Sequence, residues 1–421
     1  MNEKYLAINA GSSSLKFSLS YMPAGEEIVN GVVERIGQVD SFYTLKFNGQ
    51  KMEKRQLVND HTDAVRLMIN ELLKNQFILD INEIKGVGHR VIHGGELFSE
   101  SVHITETVLE QIKGFINLAP LHLPGEVVGI EAVSLVMPDV PQVAVFDTSF
   151  HLTMPQENYM YGTPYSWYEE MGVRKYGFHG TSHKYITEYM QEKLDKKDVN
   201  LIICHIGGGA SLSCIKAGRC QNTTMGMTPL DGLIMGTRSG SIDPAIIEFI
   251  CKEKNISVEE VTASLLFESG LLGLTGKSDY RDVEALVKHG DPKARLALTM
   301  FEKSIVKYIA QYFFELNGQL DALVFTAGIG ENGILLREEI VSLLEGPMNI
   351  HLNKELNDNL SRRHEYQSGK ISTDDSSFEV LVIPTNEEYM ILKDTYNIRT
   401  QLREEDINRT LKPKYYSEKN N

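Results

Sequence analysis

Hydrophobic and polar positions change period along this chain, and the changes divide it. Apolar residues at 5–8 run into a Gly/Ser turn, after which Leu15, Phe17 and Leu19 alternate with polar neighbours. That order is strand, tight turn, strand. Strands are predicted again at 27–35, 42–47 and 86–92, and helical spacing of apolar residues predicts helices at 62–73, 106–116 and 127–136. The apolar, β-branched run at 142–146 has the character of a strand buried in a parallel sheet. A Pro/Tyr/Gly-rich connection follows at 154–167, and the pattern then restarts: an apolar run at 201–206, a glycine turn at 207–211 and a returning strand at 212–215. Helices are predicted at 244–252, 258–267, 282–288 and, longest, 292–316. The short runs 322–325 and 380–383 each lead into a turn and a helix start. Two halves therefore open with the same strand, glycine turn, strand unit, which predicts an internal duplication with a cleft between the halves. Residues 403–421 are polar with mixed charge and are expected to fray.

Composition narrows the class without moving those boundaries. A chain of 421 residues suits two to three domains, and 42% hydrophobic with 24% charged residues is the balance of a core-forming protein. The formal charge of −15 repels phosphate backbones and anionic bilayers, so neither nucleic acid nor a membrane surface is an expected partner. A small anionic substrate would need a local cluster of Arg, Lys or backbone N–H groups. The four cysteines, Cys204, Cys214, Cys220 and Cys251, form no CxxC pair, which supports neither a zinc site nor a disulfide framework. The opening MNEKYLAINAG lacks the basic and apolar regions of a signal peptide, and no stretch approaches the ~18 uninterrupted apolar residues of a membrane span. A soluble, reduced, cytoplasmic protein is expected.

The candidate chemistry lies at the breaks in the pattern. In Asn9-Ala10-Gly11-Ser12-Ser13-Ser14-Leu15-Lys16 a sharp turn of small residues offers backbone N–H groups and hydroxyls to one point, which suits a phosphate as well as it suits an ordinary hairpin. It is not a Walker A loop, because the second Gly and the Ser/Thr after Lys are missing. His205-Ile206-Gly207-Gly208-Gly209-Ala210-Ser211 is a second such turn, and Phe325-Thr326-Ala327-Gly328-Ile329-Gly330-Glu331-Asn332 is a third glycine element; there Glu331 also fits a helix first turn. Arg90, followed by Gly94-Gly95, and Arg238 in Gly236-Thr237-Arg238-Ser239-Gly240 are cations placed where strands give way to glycines. Asp147 ends an apolar strand and is either a cap or the partner of an Arg. His179 stands beside Phe178, with Thr181 or Ser182 able to cap the helix that follows; Glu387 and Glu388 fit a strand-to-helix transition or a helix first turn. No residues have structural-zinc spacing and no GxSxG or Cys/His signature occurs. Glycine turns, two arginines and acids able to hold magnesium describe phosphoryl transfer, in which catalysis is mostly positioning and charge neutralisation.

Taken together, NAGSSSLK at 9–16, GHRVIHGGE at 88–96, LAPLH at 118–122, VFDTSFH at 145–151, YGFHGTSHKY at 176–185, MGTRSG at 235–240, FTAGIGEN at 325–332 and PTNEE at 384–388 resemble the acetate and propionate kinase family of the sugar kinase, Hsp70 and actin superfamily. The resemblance spans nearly the whole chain. It implies an α/β fold of two duplicated RNase H-like domains, at 1–150 with about 386–400 and at 151–385, a polar tail at 401–421, and a homodimer formed through the second domain. It further implies reversible phosphoryl transfer between ATP and a short carboxylic acid with Mg2+, or Mn2+, giving ADP and an acyl phosphate. Carried over by position, Arg90, Asp147, His179 and Arg238 are the catalytic set, and Asn9 and Glu387 the magnesium site. Ser12, Ser14, Lys16, His205, Gly207, Gly208, Gly209, Asp279, Arg281, Gly328, Ile329 and Asn332 are the nucleotide-binding residues. Ile92, Leu121, Phe178 and Pro229 form the pocket for the acyl methyl group, with His122 beside them and Arg90 on the carboxylate.

Four segments depart from the family's usual pattern. Gly208 replaces the Asn of HLGNGSS, HNPPN becomes His122-Leu123-Pro124-Gly125-Glu126, RSGDIDP carries Ser241 for Asp, and Asp231 replaces the Glu before Gly232. Loss of the Asn leaves pyrophosphate open as a donor, and a non-catalytic nucleotide or acyl-phosphate sensor is the reading of another class. Ile92 stands where Val is common, and its extra methylene is worth about 1–3 kcal/mol against a longer acid, so acetate is expected over propionate or butyrate.

Overall fold

The structure is a computed structural model in which residues 2–360, 368–407 and 409–412 are described. The chain divides into two units, Met1–Ser149 with Asn386–Asn421, and Phe150–Thr385.

Unit 1 is built on eight strands: β1 Glu3–Ala10, β2 Ser14–Met22, β3 Glu26–Glu34, β4 Phe42–Phe47, β5 Gln50–Arg55, β6 Ile84–Val91, β7 Val102–His103 and β8 Gln142–Phe146. Their order in the sheet is β5-β4-β3-β2-β1-β6-β8-β7. The meander β1 to β5 is antiparallel, while β1, β6 and β8 run parallel. The period-two pattern of β1 separates two cores. Leu6, Ile8 and Ala10 pack with Ala64, Val65 and Met68 of the helix His61–Lys74 and with Ala132 and Val133 of the helix Leu123–Val136. Tyr5 and Ala7 pack with Ile391 and Leu392 of the helix Glu387–Gln401. A Cβ on Gly88 would sit 2.2 Å from the Thr395 hydroxyl, so glycine there lets this last helix lie directly on the sheet.

Unit 2 repeats the plan with β9 Leu201–Ile206, β10 Ala210–Lys216, β11 Arg219–Thr223, β12 Ala322–Thr326, β13 Gly369–Lys370 and β14 Glu379–Val382, in the order β11-β10-β9-β12-β14-β13. In both units a hairpin leads an antiparallel meander whose first strand pairs in parallel with a later one, and that strand pairs in parallel with the next. The duplication expected from the repeated hairpin is thus present in the topology. Ile186 and Met190 of the helix Gly180–Lys193 pack on Leu201, Ile203, Val324 and Leu381.

Several boundaries differ from the pattern's prediction. The helix expected at 106–116 is Glu106–Lys113, and Gly114 breaks it before a short turn at Ile116–Leu118. The helix expected at 127–136 begins at Leu123, because Pro124 falls in the first turn, where its missing N–H costs nothing. The 154–167 connection contains the helix Gln156–Tyr159 and the start of Tyr165–Met171. The frayed tail expected from 403 is corrected for its described part. Thr410 and Leu411 are buried, the Leu411 amide donates to the Ile104 carbonyl at 3.2 Å, and Thr410 bonds the His103 ring at 2.9 Å. Residues 413–421 lie outside the described residues.

Candidate active site

In unit 1 the parallel strands deliver the charged groups. Arg90 is the penultimate residue of β6 and Asp147 directly follows β8, and their register puts the two strand ends side by side. The Asp147 amide donates to the Val91 carbonyl at 2.9 Å, and Arg90 Nη2 donates to Asp147 Oδ2 at 2.5 Å. Asp147 is 1% exposed and is therefore the arginine's partner rather than a cap. Glu126, in the first turn of Leu123–Val136, has one oxygen on the Ile92 amide at 2.9 Å and the other 3.9 Å from Arg90 Nη1. Burial pushes the Glu126 carboxyl up to about 7, against the pull of Arg90 and the Ile92 amide. Burial and then Asp147 push Glu387, the first residue of its helix, up to about 7, with Arg90 and Lys16 acting the other way. Burial alone would lower the Arg90 guanidinium, but Asp147, Glu126 and Glu387 outweigh it and hold the cation above its ordinary value.

The turn between β1 and β2 stands among the same elements. Asn9 faces Lys16 across the hairpin, the Gly11 amide donates to the Ser14 carbonyl at 2.8 Å, and the His61 ring bonds the Gly11 carbonyl at 2.7 Å. Ser12 and Lys16 are exposed and Ser14 is half-buried. Ile92 is buried, His122 is half-buried, and Leu121 is 55% exposed.

In unit 2 the turn between β9 and β10 is all glycine. The Gly207 amide donates to the Gly209 carbonyl at 2.9 Å, and the Gly236 amide to the Gly208 carbonyl at 3.3 Å, which ties the Arg238 loop to the turn. A Cβ on Gly209 would meet Arg238 Nη1 at 3.3 Å and His179 Nε2 at 3.5 Å, so turn, cation and imidazole converge. Arg238 donates to the Pro229 carbonyl at 3.2 Å, and burial lowers its pKa; among the described residues no carboxylate forms an ion pair with it. His179 has φ 57°, in the left-handed region, and opens the helix Gly180–Lys193 without a side-chain cap bond. Thr181 and Ser182 are therefore not its caps. Ser182 bonds His205 Nδ1 at 2.7 Å, His205 stacks on His179 at 4.1 Å, and the Ser211 hydroxyl bridges His179 Nδ1 at 2.9 Å and His183 Nε2 at 2.8 Å. Burial holds the His183 pKa far below its ordinary value, so that ring is neutral. Phe178 is buried, its carbonyl bonded to the His151 ring at 2.9 Å.

The third glycine element becomes the helix Ala327–Asn332, with Ala327 at φ 64° and Asn332 Nδ2 on the Gly328 carbonyl at 2.6 Å. Ile329 lies within that helix. Glu331 is buried and accepts the Thr385 amide at 3.2 Å, so it is no solvent-facing first-turn acid. Asp279 caps the helix Tyr280–Lys288 and holds Arg281 through two side-chain bonds at 2.9 and 2.5 Å, Asp279 being half-buried and Arg281 exposed. Sequence reasoning missed three supports. They are Ser211, the buried Glu126, whose signal was its place in a departing motif, and Arg337, a fully buried cation that holds the carbonyls of Gly330 and Glu331 at 2.9 and 2.8 Å. Arg337 lies on a helix, Ile334–Met348, with no motif to mark it.

Fold and site define the class. This is a duplicated RNase H-like protein of the actin and Hsp70 type, with a hairpin turn of small residues and an arginine in each unit. The sequence matches the Acetokinase family over residues 4–393, and the chain belongs to that family, the phosphotransferases with a carboxyl group as acceptor. It is 48% identical to the acetate kinase of Shouchella clausii over 94% of this chain and 99% of that one, and 47% identical to that of Bacillus subtilis with the same coverage. The crystal structure of Porphyromonas gingivalis acetate kinase superposes with a TM-score of 0.89 at 40% identity, covering 94% of this chain and 99% of that one. A propionate kinase from Francisella tularensis superposes at 0.88 with 40% identity, over 94% and 100%.

Proposed function

We propose that this chain transfers a phosphoryl group reversibly between ATP and acetate, giving ADP and acetyl phosphate by direct in-line displacement. The observation that carries the reading is a pair of arginines in opposite states, Arg90 at the end of β6 bonded to Asp147, and Arg238, in the loop after β11, without a carboxylate among the described residues. A carboxylate is a weak nucleophile toward another anion, and guanidinium groups offset the repulsion while fixing geometry. Arg90 receives the acid's carboxylate and Asp147 fixes its orientation. Arg238 and His179 neutralise charge on the transferring phosphoryl group, with Ser211 setting the ring of His179 and His122 and His205 completing the histidine set. Gly207, Gly208 and Gly209 with Ser12, Ser14 and Lys16 hold phosphates through amides, hydroxyls and a cation. Asp279, Arg281, Gly328, Ile329 and Asn332 receive the nucleotide.

Asn9 and Glu387 are the residues we assign to Mg2+, or Mn2+. One amide and one carboxylate oxygen fit an ion that usually takes only one or two protein oxygens and fills its shell with water and phosphate, and a cation beside Glu387 would relieve the crowding with Asp147 that raises its pKa. When bound, the metal supplies positive charge to the phosphates. Ile92, Leu121, Phe178 and Pro229 receive the methyl group, and buried Ile92 favours acetate. A homodimer through unit 2 is supported by exposed Ile246, Phe249, Val258 and Phe267 on the helices Ala245–Lys254 and Val258–Phe267. A cytoplasmic location is supported by the four free cysteines; among the described residues no helix is long and apolar enough to cross a membrane.

An acyl-hydroxamate assay crossing acetate, propionate and butyrate with ATP, GTP and pyrophosphate tests the reading. The highest kcat/KM is expected for acetate with ATP. Equal or better turnover of propionate overturns the pocket assignment, pyrophosphate dependence overturns the donor, and no product with any pair makes the chain a sensor.

A further inference from the structure

Glu126 stands at the acid-rich end of unit 1, and the reaction above gives it no task. It occupies the place of the last Asn in the family's HNPPN segment and follows Gly125, where that segment has Pro. Geometry links the two changes. A Cβ on residue 125 would lie 2.7 to 2.9 Å from backbone atoms of Gly11 and Ser12, and one on Gly129 would lie 2.5 Å from Ala10 Cβ. Only glycine lets the first turn of this helix rest on the β1–β2 turn. Seated there, Glu126 is buried and gives one carboxylate oxygen to the Ile92 amide at 2.9 Å. Its other oxygen stops 3.9 Å from Arg90 Nη1, inside Coulomb range and outside hydrogen-bond range, while Asp147 already occupies Arg90 Nη2.

We propose that Glu126 is a positioning residue that sets affinity for the acid substrate, because its carboxylate shares Arg90 with the incoming carboxylate and so weakens binding in a way an Asn at this position would not. The inference rests on the reading of Arg90 as the acid-binding cation. Arg90 of β6 and Ile92, the residue after that strand, face Glu126, as does Asp147 at the end of β8, while Glu387 acts on Arg90 from its own helix. On the neighbouring helices, His61 is engaged with the Gly11 carbonyl and Lys113 is paired with Glu131 at 2.9 Å. Burial brings the Glu126 carboxyl up to about 7, so its charge develops across neutrality.

The test is KM for acetate between pH 6 and pH 8 in the full chain and in Glu126→Gln, which keeps an acceptor for the Ile92 amide and removes the charge. Wild-type KM is expected to rise about tenfold more over that range than the variant's, the effect of roughly one pKa unit of interaction, whereas the variant's KM stays lower at pH 8 and keeps only the shallower rise that Glu387 contributes, with kcat little changed. A purely structural role for Glu126 would instead raise KM or lower kcat at every pH. Glu126→Asn, expected to behave like Gln, covers the case in which Gln fails to fold. Calorimetric titration with acetate alone gives the same comparison without turnover. If acetate binds with the pH-dependent difference but no phosphoryl transfer occurs, the reaction reading falls and this inference stands. If turnover is normal and wild type and variant share one KM profile, or if Gln raises KM at pH 8, the inference falls alone. No acetate binding by the wild type at any pH overturns it together with the role of Arg90.

Discussion

The two units repeat one strand order but carry arginines in opposite electrostatic states, Arg90 at the end of β6 and Arg238 in the loop after β11. Arg90 is held by Asp147 and lies in the field of Glu126 and Glu387; Arg238 is half-buried against a carbonyl and a thioether sulfur, with desolvation alone acting on its pKa. The turns differ in the same direction. The β1–β2 turn carries serines, is bonded by His61 and has a helix pressed against it through Gly125, whereas the β9–β10 turn is bare glycine and a Cβ on Gly208 would meet nothing within 4 Å. A shared scaffold thus fixes where each turn stands, while the loop after β11, which the strand order does not fix, carries Arg238, and the side chains around each cation fix which anion it accepts. A partly desolvated cation with no carboxylate partner among the described residues is costly until an anion arrives, which suits a phosphoryl group. A cation already paired is ordered in advance, and a substrate carboxylate must compete for it.

The largest expected effects separate the two arginines. Arg90→Ala and Arg238→Ala should each lose about 10³ to 10⁵ in turnover, by analogy with arginine fingers. Their stabilities should diverge. Removing Arg90 breaks one side of a buried ion pair by taking the guanidinium from the Asp147 carboxylate, a loss of about 3–5 kcal/mol, whereas removing Arg238 leaves the Tm unchanged or raised; denaturant melts of both variants decide this, and equal destabilisation would erase the contrast. Next in size is pH. The Glu126 carboxyl is raised in the folded chain from its ordinary 4.5 to about 7, so its contribution is fully present below pH 4.5 and is lost as pH rises through 7. Wild type and Glu126→Gln should therefore differ little at pH 4, with the variant gaining on wild type by about 3 kcal/mol at pH 8. A constant gap across that range would show that Glu126 does not titrate there. Among the glycines, Gly125→Ala forces a Cβ against the Gly11 backbone and should cost about 1–3 kcal/mol. The smallest expected effect is that of Gly208→Asn, which has free space and should move stability by less than about 0.5 kcal/mol, with any change confined to KM for ATP.

Periodicity made the strands and most helices of both units legible, because a strand with one core face must alternate and a buried helix must repeat near 3.6 residues. It was silent on β5, whose six residues are almost all exposed and polar and follow no core pattern, on β11, whose RCQNT is mostly polar, and on β7 and β13, which are two residues each. The tail misled because its polar composition hid Thr410 and Leu411, two residues anchored by contacts some 300 positions away. Motifs marked Arg90, Asp147, His179 and Arg238 one at a time, each with a bland alternative beside it.

What the sequence determined by itself was the alternation that builds two similar sheets, the small residues of the turns and the family to which the chain belongs. These are local in the chain or carried by residue identity. What the tertiary structure decided was the state of each charged group. Asp147 belongs to Arg90 because parallel register brings the ends of β6 and β8 together, Glu126 reaches the same guanidinium because Gly125 lets a helix close on a turn, and Arg238 has no carboxylate partner among the described residues. Electrostatic state depends on which atoms lie within a few ångströms and how much water is excluded, and neither can be read from positions 57 or 36 residues apart until the chain has folded.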